Sequence, residues 1–322
     1  MKAIQFKEVG GPEVMQLVEV PKPEVRPGMV RVRNHAVGIN FGDNFFRQGN
    51  YVIKPKLPDT PGMEAAGVID EVGAGVEGLK PGTRVAGIGL KCYAEYSLFY
   101  ANQVIPLPDS VGFAEGAAFP IQTLTAWFML HTCHHLTPGQ TVLVHSAAGG
   151  VGIVAMQIAK AAGARVIGTV SSDSKIATAR QYGADEVINY ETHDLAEEAL
   201  RLTGGKGIDL NLDAIGKPTF EKGLKCAAPF GHIILYGRAG GAPDKLDPMR
   251  LFEKAVKVSG FILFMASSQH QLMKQGAESC FQLMREGRLK MLIGKTYPLG
   301  EAADAHRFMQ SRQSVGKLVL TP

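Results

Sequence analysis

Two different patterns of apolar and polar residues divide the chain near residue 122. Before that point, short apolar or alternating segments are separated by glycine and proline, as is typical of strands in an antiparallel barrel or sandwich. The predicted strands are 2–6, 29–33, 65–72, 84–88 and 93–98. The first part of the chain is therefore predicted to be a β-rich domain.

After residue 122, apolar strands alternate with segments that have helical spacing. Six strands are predicted, at 141–145, 165–170, 186–190, 208–212, 232–236 and 256–261. Helices are predicted between most of them, and two of these, 152–162 and 175–182, are each followed by a glycine. This alternation predicts an α/β fold with a doubly wound parallel sheet. The tail from 289, with a strand at 317–320, is expected to rejoin the first domain.

Length and composition narrow the class of protein. At roughly 150 residues per domain, 322 residues indicate two domains. A formal net charge of +4 is too small to predict nucleic-acid or membrane binding. Because no apolar run is long enough to span a bilayer, we expect no membrane segment. The four cysteines are widely separated and suggest no disulfide framework, so we expect a reducing, cytoplasmic setting.

The most informative segment, AAGGVG at 147–152, lies between a predicted strand and a predicted helix. Small residues there let the backbone approach a pyrophosphate, and the helix start offers N–H groups and a positive dipole end. The usual dinucleotide pattern is G-x-G-x-x-G, and here alanine replaces the first glycine. We predict a dinucleotide site, the alternative being a tight structural turn. The candidate contacts are Ala148, Gly149, Gly150 and Val151.

The end of the next strand distinguishes between the two nicotinamide cofactors. An NAD site normally has an acidic residue there to bind the ribose hydroxyls. This strand ends at Val170 and is followed by Ser171 and Ser172, with Lys175 just beyond. Hydroxyl donors and a cation suit a 2′-phosphate, so NADPH is the predicted cofactor. Asp173 opposes this interpretation, and we take it as a solvent-facing residue of a helix's first turn.

Several segments together resemble the quinone oxidoreductase branch of the medium-chain dehydrogenase/reductase superfamily. They are SAAGGVG at 146–152, GARVIGTV at 163–170, GADEVINY at 183–190, GINFGD at 38–43, PGMEAAGV at 61–68, TLTA at 123–126, and the stretch from Arg312 to KLVL at 317–320. The similarity extends over nearly the whole chain, and its motifs are specific for the superfamily.

The resemblance implies a Rossmann domain inserted in a GroES-like catalytic domain, with the active site in the cleft. We accordingly predict a catalytic domain at 1–122, an NADPH-binding domain at 123–263 and a return to the catalytic domain at 264–322. It also implies a homodimer, formed by joining the Rossmann sheets edge to edge near 231–236 and 257–261.

Zinc-dependent alcohol dehydrogenases belong to the same superfamily, so a metal site has to be considered. In the matching segments, Met63 stands where those enzymes have a histidine ligand, and no cysteine lies near Asn40. The four-cysteine lobe of their structural zinc is also absent, so we predict no metal. His131 and His135 have metal-ligand spacing on a predicted helix, but without a third ligand we take them as ordinary helix residues.

On the acceptor side, the family match predicts four catalytic-site residues. Asn40 is expected near the nicotinamide and the acceptor oxygen, where its amide can donate a hydrogen bond. Asp43 is expected to orient its neighbours, and Tyr51 to line the pocket. Turn chemistry after a strand is the alternative explanation for the first two residues, and packing is the alternative for Tyr51. Phe45 departs from the family, which often has tyrosine there; it can stack on a planar acceptor but cannot donate a proton.

The family match also predicts further cofactor contacts. Thr125 and Phe264 are expected near the nicotinamide, Tyr190 beside the adenosine, and Tyr236 and Gly237 along the cofactor cleft. Arg312, and more weakly Lys317, are expected to reach the 2′-phosphate. For Tyr236, Phe264 and Lys317, packing is an alternative explanation.

Three functions compete at this point. The leading hypothesis is a zinc-independent NADPH reductase of quinones or related electron-poor acceptors. The second is reduction of α,β-unsaturated carbonyls, such as an enal, an enone or an enoyl thioester. The third is a structural or RNA-binding protein that keeps the cofactor site, which the modest net charge and the lack of an RNA module disfavour.

Overall fold

The computed structural model describes all residues, 1–322, and divides them into two compact units. Unit 1 comprises Met1–Ile121 and Met291–Pro322, and unit 2 comprises Gln122–Lys290. The chain therefore leaves unit 1 and re-enters it. The second boundary was wrong, however, because residues 264–290 stay with unit 2.

The first part of unit 1 is dominated by strands. Its elements are β1 (Lys2–Gln5), β2 (Gln16–Glu19), β3 (Met29–Ile39), α1 (Phe41–Arg47), β4 (Glu64–Val72), β5 (Arg84–Ile88), β6 (Tyr96–Tyr100), β7 (Val104–Pro106) and α2 (Phe113–Ala118). The helix α3 (Pro120–Trp127) begins at the boundary and is followed by a π-helical turn, Phe128–Cys133.

Unit 2 alternates strands and helices. They are β8 (Thr141–Val144), α4 (Gly150–Ala161), β9 (Arg165–Val170), α5 (Ile176–Gln181), β10 (Glu186–Asn189), α6 (Leu195–Leu202), β11 (Ile208–Asp213), α7 (Lys217–Cys226), β12 (Ala227–Leu235), β13 (Lys257–Gly260), α8 (Leu263–Ala266) and α9 (His270–Arg285). The chain then adds β14 (Ile293–Pro298), α10 (Ala302–Gln310) and β15 (Lys317–Thr321) to unit 1.

The six strands of unit 2 form one parallel sheet in the order β10-β9-β8-β11-β12-β13. Numbered within the unit this order is 3-2-1-4-5-6, the Rossmann arrangement, which confirms the predicted fold class. All six carboxyl ends lie on one edge of a parallel sheet, and the order reverses between β8 and β11. Ligands of such sheets bind in the crevice at that reversal.

The seven-stranded sheet of unit 1 incorporates the end of the chain. Its order is β14-β15-β3-β4-β5-β7, and β6 also pairs with β3. β15 runs antiparallel to β3 with Leu318 opposite Ile39. Since pairing in an antiparallel ladder runs in opposite directions, this register brings Lys317 beside Asn40. The core beneath the sheet contains Val32, Ile69, Phe99 and Leu320 among other buried apolar residues.

None of the helices in the structure combines the length and the apolar character that a membrane-spanning segment needs.

A cluster of buried polar side chains lies behind α1 in unit 1. Asp43, Arg47, Tyr93 and His306 are each 0% exposed. The Tyr93 hydroxyl donates to Asp43 Oδ2 over 3.1 Å and lies 2.9 Å from His306 Nε2. Burial raises the pKa of Asp43 to about 7. Burial, and then the charge of Arg47, lower the pKa of His306 to about 3.

We predict that His306→Asn removes one contribution that lowers stability on mild acidification. Below its ordinary pKa of 6.5, His306 takes up a proton in the unfolded chain but not in the folded one, so acid lowers the free energy of unfolding. Asp43 acts oppositely, since its raised pKa adds stability as the pH falls from 7 towards 4. Urea unfolding at about pH 7.5 and about pH 5, followed by circular dichroism, should show that acidification changes the midpoint more favourably in the variant than in the parent chain.

His193→Asn provides the control, because His193 is exposed. It should keep the pH difference of the parent chain. If His306→Asn also keeps that difference, the histidine does not take up the proton as described.

Candidate active site

The small-residue loop of unit 2 leads from β8 directly into α4. Ser146 has a φ of +53°, which turns the chain, and Gly149 caps the helix that begins at Gly150. The first N–H groups of a helix have no partner within it, and its N-terminus carries a partial positive charge. Because β8 lies next to the reversal of strand order, these N–H groups line the crevice where a phosphate would bind.

The spacing around the loop explains why two of its positions are glycine. A Cβ at Gly152 would lie 2.3 Å from the carbonyl oxygen of Ser146, and one at Gly150 would lie 2.2 Å from Nε2 of Gln122. Any larger residue at 152 would push the helix away from the loop, and one at 150 would displace Gln122. The predicted residues Ala148, Gly149, Gly150 and Val151 are small or lie at the start of α4, as a pyrophosphate site requires.

The end of β9 presents the residues that were predicted to distinguish the cofactors. Ser171 and Ser172 follow the strand and are partly exposed. Lys175 lies in the last turn of the 3-10 helix Asp173–Lys175. Asp173 is exposed as predicted, but its Oδ1 also accepts a 2.7 Å hydrogen bond from Asn189 Nδ2 at the end of β10. This contact holds the acidic group against the neighbouring strand.

The other predicted contacts of unit 2 are spread over several elements. Tyr190 directly follows β10, and its N–H donates to Val170 O over 3.2 Å, beside the end of β9. Tyr236 and Gly237 follow β12, where a Cβ at 237 would lie 2.7 Å from Ala214 O. Three strand ends thus carry predicted residues on the same sheet edge as the loop. Thr125 lies buried in α3 and Phe264 lies in α8.

In unit 1, Asn40 stands between β3 and α1 and is held by three polar partners. Lys317 Nζ donates to Asn40 Oδ1 over 2.8 Å, and Asn40 Nδ2 donates to Glu64 Oε1 over 2.8 Å. The backbone N–H of Asn40 donates to Asp43 Oδ2 over 2.7 Å, which caps α1. Asn40 is partly exposed, whereas Lys317 and Glu64 are 1% and 0% exposed. A fixed amide therefore stands at the edge of a buried ion pair.

The prediction that Lys317 reaches a 2′-phosphate does not fit this geometry. Its ammonium is buried against Glu64 and lies 2.8 Å from Asn40, which was predicted at the nicotinamide. The nicotinamide and the 2′-phosphate are at opposite ends of a dinucleotide. Because Asn40 and Lys317 are in contact, they cannot bind these two ends of the same cofactor. Arg312 is exposed, with a φ of +60°, at the corner that precedes β15.

Glu64 is the site residue that the sequence analysis missed. It begins β4, and its second carboxylate oxygen accepts from the N–H of Ile121 over 2.8 Å. The sequence did contain a signal for both residues of the ion pair. Glu64 stands at the start of the apolar segment in GMEAAG, and Lys317 stands at the start of the apolar segment in GKLVL. A charge at the start of a buried strand needs a partner.

The remaining predicted acceptor-side residues surround the first turn of α1. A Cβ at Gly42 would lie 3.2 Å from ring atom Cε2 of Tyr51, so the tyrosine ring covers this turn. Burial, and then the charge of Asp43, raise the pKa of Tyr51 to about 12. Phe45 packs edge-on against Phe41, with ring centroids 5.4 Å apart. The structure thus gathers Asn40, Asp43, Phe45 and Tyr51 in one place.

Potential metal ligands do not converge. No group of three or more His, Cys, Asp or Glu side chains is arranged to hold a metal ion. His131 instead packs against Trp127, with ring centroids 5.5 Å apart. His134 lies between His131 and His135 in the sequence, and its ring Nδ1 is 3.4 Å from the ring Nδ1 of His232. Met63 is buried next to Glu64.

Comparison with protein families matches both units. The alcohol dehydrogenase GroES-like domain model matches residues 26–109, within unit 1. The model described as zinc-binding dehydrogenase matches residues 150–278, within unit 2. Each unit of the chain is therefore matched by a model of the alcohol dehydrogenase type.

Individual relatives match the chain from end to end. A quinone oxidoreductase of Pseudomonas aeruginosa is 38% identical, over 100% of this chain and 99% of its own length. A 2-haloacrylate reductase of a Burkholderia species is also 38% identical, with the same coverage. The crystal structure of Escherichia coli quinone oxidoreductase complexed with NADPH superposes with a TM-score of 0.96 at 34% identity, covering 100% of both chains. The predicted resemblance is therefore confirmed, and the chain belongs to the quinone oxidoreductase family of the medium-chain dehydrogenase/reductase superfamily.

Proposed function

We propose that this protein is an NADPH-dependent reductase that transfers a hydride, without zinc, to quinones and similar electron-poor acceptors. The observation that carries the proposal is the fixed amide of Asn40, a hydrogen-bond donor where a metal-dependent relative would need metal ligands. NADPH, when bound, supplies the hydride. The chain then has to hold the cofactor, orient the acceptor and stabilise the charge that develops on its oxygen.

The cofactor proposal rests on the strand ends of unit 2. The cradle at 148–151 would take the pyrophosphate, and Ser171, Ser172 and Lys175 would take the 2′-phosphate. The bond from Asn189 keeps the Asp173 carboxylate directed towards β10. Tyr190 lies beside this strand end and would border the adenosine. Thr125, Tyr236, Gly237 and Phe264 are proposed along the rest of the cofactor, and Arg312 near its 2′-phosphate.

The acceptor proposal rests on the first turn of α1. The amide of Asn40 would donate to the acceptor oxygen as negative charge develops there. Phe45 and Tyr51 offer aromatic surface for a planar acceptor, and Asp43 holds the backbone of Asn40. Because the pKa of Tyr51 is raised to about 12, its hydroxyl stays protonated at neutral pH and can donate a hydrogen bond.

The same turn does not fit a catalytic zinc ion. Zinc binds thiolate, imidazole or carboxylate groups, usually three from the protein. The candidate positions hold an amide in Asn40 and a thioether in Met63, and the carboxylate of Glu64 is already paired with Lys317. Acceptors that need no Lewis acid, such as quinones, suit this set of residues better than simple alcohols.

A second candidate function is reduction of an activated carbon–carbon double bond next to a carbonyl group. It is favoured by the Burkholderia relative, which is named a 2-haloacrylate reductase and is as similar to this chain as the Pseudomonas quinone oxidoreductase. Asn40 would serve this reaction in the same way, by donating to the carbonyl oxygen.

We predict NADPH oxidation with 1,2-naphthoquinone and 1,4-benzoquinone that exceeds the rate with 2-alkenals, 2-chloroacrylate and crotonyl-coenzyme A. Quinones accept hydride readily without a Lewis acid, so kcat/KM should be at least about tenfold higher for them. Steady-state absorbance of NADPH measures this. A preference for the alkenes would establish the second function. Tight NADPH binding with no turnover of any acceptor would instead indicate a protein that acts by binding.

We predict that Lys175→Ala weakens NADPH binding by about 10- to 100-fold and changes NADH binding little. One charge-assisted hydrogen bond to phosphate accounts for a loss of this size. Fluorescence titration with each cofactor measures it. Lys206→Ala is the matched control, because Lys206 is an exposed lysine next to the amino end of β11, the opposite sheet edge. Equal losses for the two cofactors would refute the phosphate assignment.

We predict that Phe45→Tyr raises kcat with 1,4-benzoquinone by about two- to tenfold, the value of one added hydrogen bond. The new hydroxyl would extend from the aromatic surface beside Asn40. Phe308→Tyr is the control, since Phe308 is a half-buried phenylalanine of unit 1 that packs near Lys295. An unchanged kcat would show that the missing hydroxyl does not limit the site.

A further inference from the structure

The buried ion pair of Lys317 and Glu64 beside Asn40 is not needed to stabilise the fold. Lys317 begins a strand whose next three residues, Leu318, Val319 and Leu320, are buried and apolar. Desolvating an ammonium and a carboxylate is costly, and well-packed apolar residues usually replace such a pair without loss of stability. The role of the ion pair is therefore better explained by its contacts with the side chain of Asn40.

The two charges leave the Asn40 amide only one orientation. An ammonium has only donors, so the atom that faces Lys317 has to be the amide oxygen, at 2.8 Å. A carboxylate has only acceptors, so the atom that faces Glu64 has to be the amide nitrogen, at 2.8 Å. A flipped amide would place like groups together on both sides. One N–H of the amide nitrogen is left to donate elsewhere.

The rest of unit 1 fixes the carboxylate that takes part in this arrangement. The backbone N–H of Ile121 donates to its other oxygen, Glu64 Oε2, over 2.8 Å. Gly38 makes room for it, because a Cβ at that position would lie 2.6 Å from Glu64 Oε1. The register of β15 on β3 brings Lys317 beside Asn40, where its ammonium contacts both the amide oxygen and Glu64 Oε1. Both partners are thus held by the sheet itself.

We propose that Lys317 and Glu64 are positioning residues, which clamp the Asn40 amide so that its remaining N–H is always presented to the acceptor oxygen. This inference rests on the proposed role of Asn40. A donor that is fixed before the reaction stabilises developing charge without having to reorient, which is the main source of such stabilisation in enzymes. The charges of the clamp balance, so it adds no net charge beside the acceptor, and its proposed effect is to orient the amide.

The test is a cycle that combines Lys317→Met/Glu64→Gln with Asn40→Ala. In the double variant, the glutamine side chain that replaces Glu64 can donate or accept, so the Asn40 amide is no longer held in one orientation, and no unpaired charge is left buried. We expect kcat with 1,4-benzoquinone to fall by about 10- to 100-fold in the parent background and by less than about twofold when Asn40 is already alanine. The Kd for NADPH should not change in either background.

Three results would overturn the inference: no loss in the parent background, an equal loss in both backgrounds, or a matching rise in the Kd for NADPH. Failure of the proposed function is separate, because it would show in Asn40→Ala alone, as unchanged acceptor turnover. Arg31→Met/Asp70→Asn removes another ion pair of unit 1 and should leave kcat unchanged. If the main variant does not fold, Lys317→Gln/Glu64→Gln replaces it in the same cycle, because neither glutamine fixes the orientation of the Asn40 amide and no buried charge is left unpaired. Lys317→Arg should retain more activity than Lys317→Met.

Discussion

The pairing of the last strand with β3 is the constraint on which the acceptor side depends. Leu318 lies opposite Ile39, and this register sets Lys317 against Asn40 at the point where β3 gives way to α1. A shift of one residue would turn the lysine to the other face of the sheet and leave Glu64 without its partner. The end of the chain therefore completes a site whose other residues belong to the first 64 positions.

Unit 2 reaches its geometry by a different route. Its sheet is parallel, so all its loops of interest follow the carboxyl ends of strands, and their proximity follows from topology without long-range register. The close contacts of Gly150 and Gly152 then fix the loop itself. Unit 1 thus positions its polar groups by the register of paired strands, and unit 2 positions its own by the order of strands in the sheet.

The sequence was sufficient to predict those elements whose structure is determined by residues close together in the chain. All six strands of unit 2 and the loop at 147–152 were predicted, because apolar alternation and small residues are local signals. The return to unit 1 was set too early, at 264, because α9 is a surface helix whose partner cannot be read from its own pattern. In the structure, a Cβ at Gly276 of α9 would lie 2.9 Å from Trp127 of unit 2, which explains why the helix stays there.

The acceptor side was harder to predict for the same reason. Asn40 and Asp43 were interpreted through family likeness or turn chemistry, although their spacing of three is also a helix-capping signal, and α1 begins there. Lys317 lies 277 residues from Asn40, and Glu64 lies 24 residues from it, so no local pattern connects them. A buried charge in an apolar strand shows that a partner exists, but only the fold identifies it.

Asn40 is the residue through which two buried polar networks of unit 1 meet. Its side chain belongs to the ion pair of Lys317 and Glu64, and its backbone N–H belongs to the cluster of Asp43, Tyr93 and His306. The first network sets the orientation of the amide and the second sets the position of its backbone. Since the partners are buried and the amide itself is partly exposed, solvent can reach the donor without disturbing what holds it. Buried residues thus hold the amide, while the amide itself is the group that an acceptor would contact. A donor held in this way can stabilise charge on an acceptor without losing its own orientation.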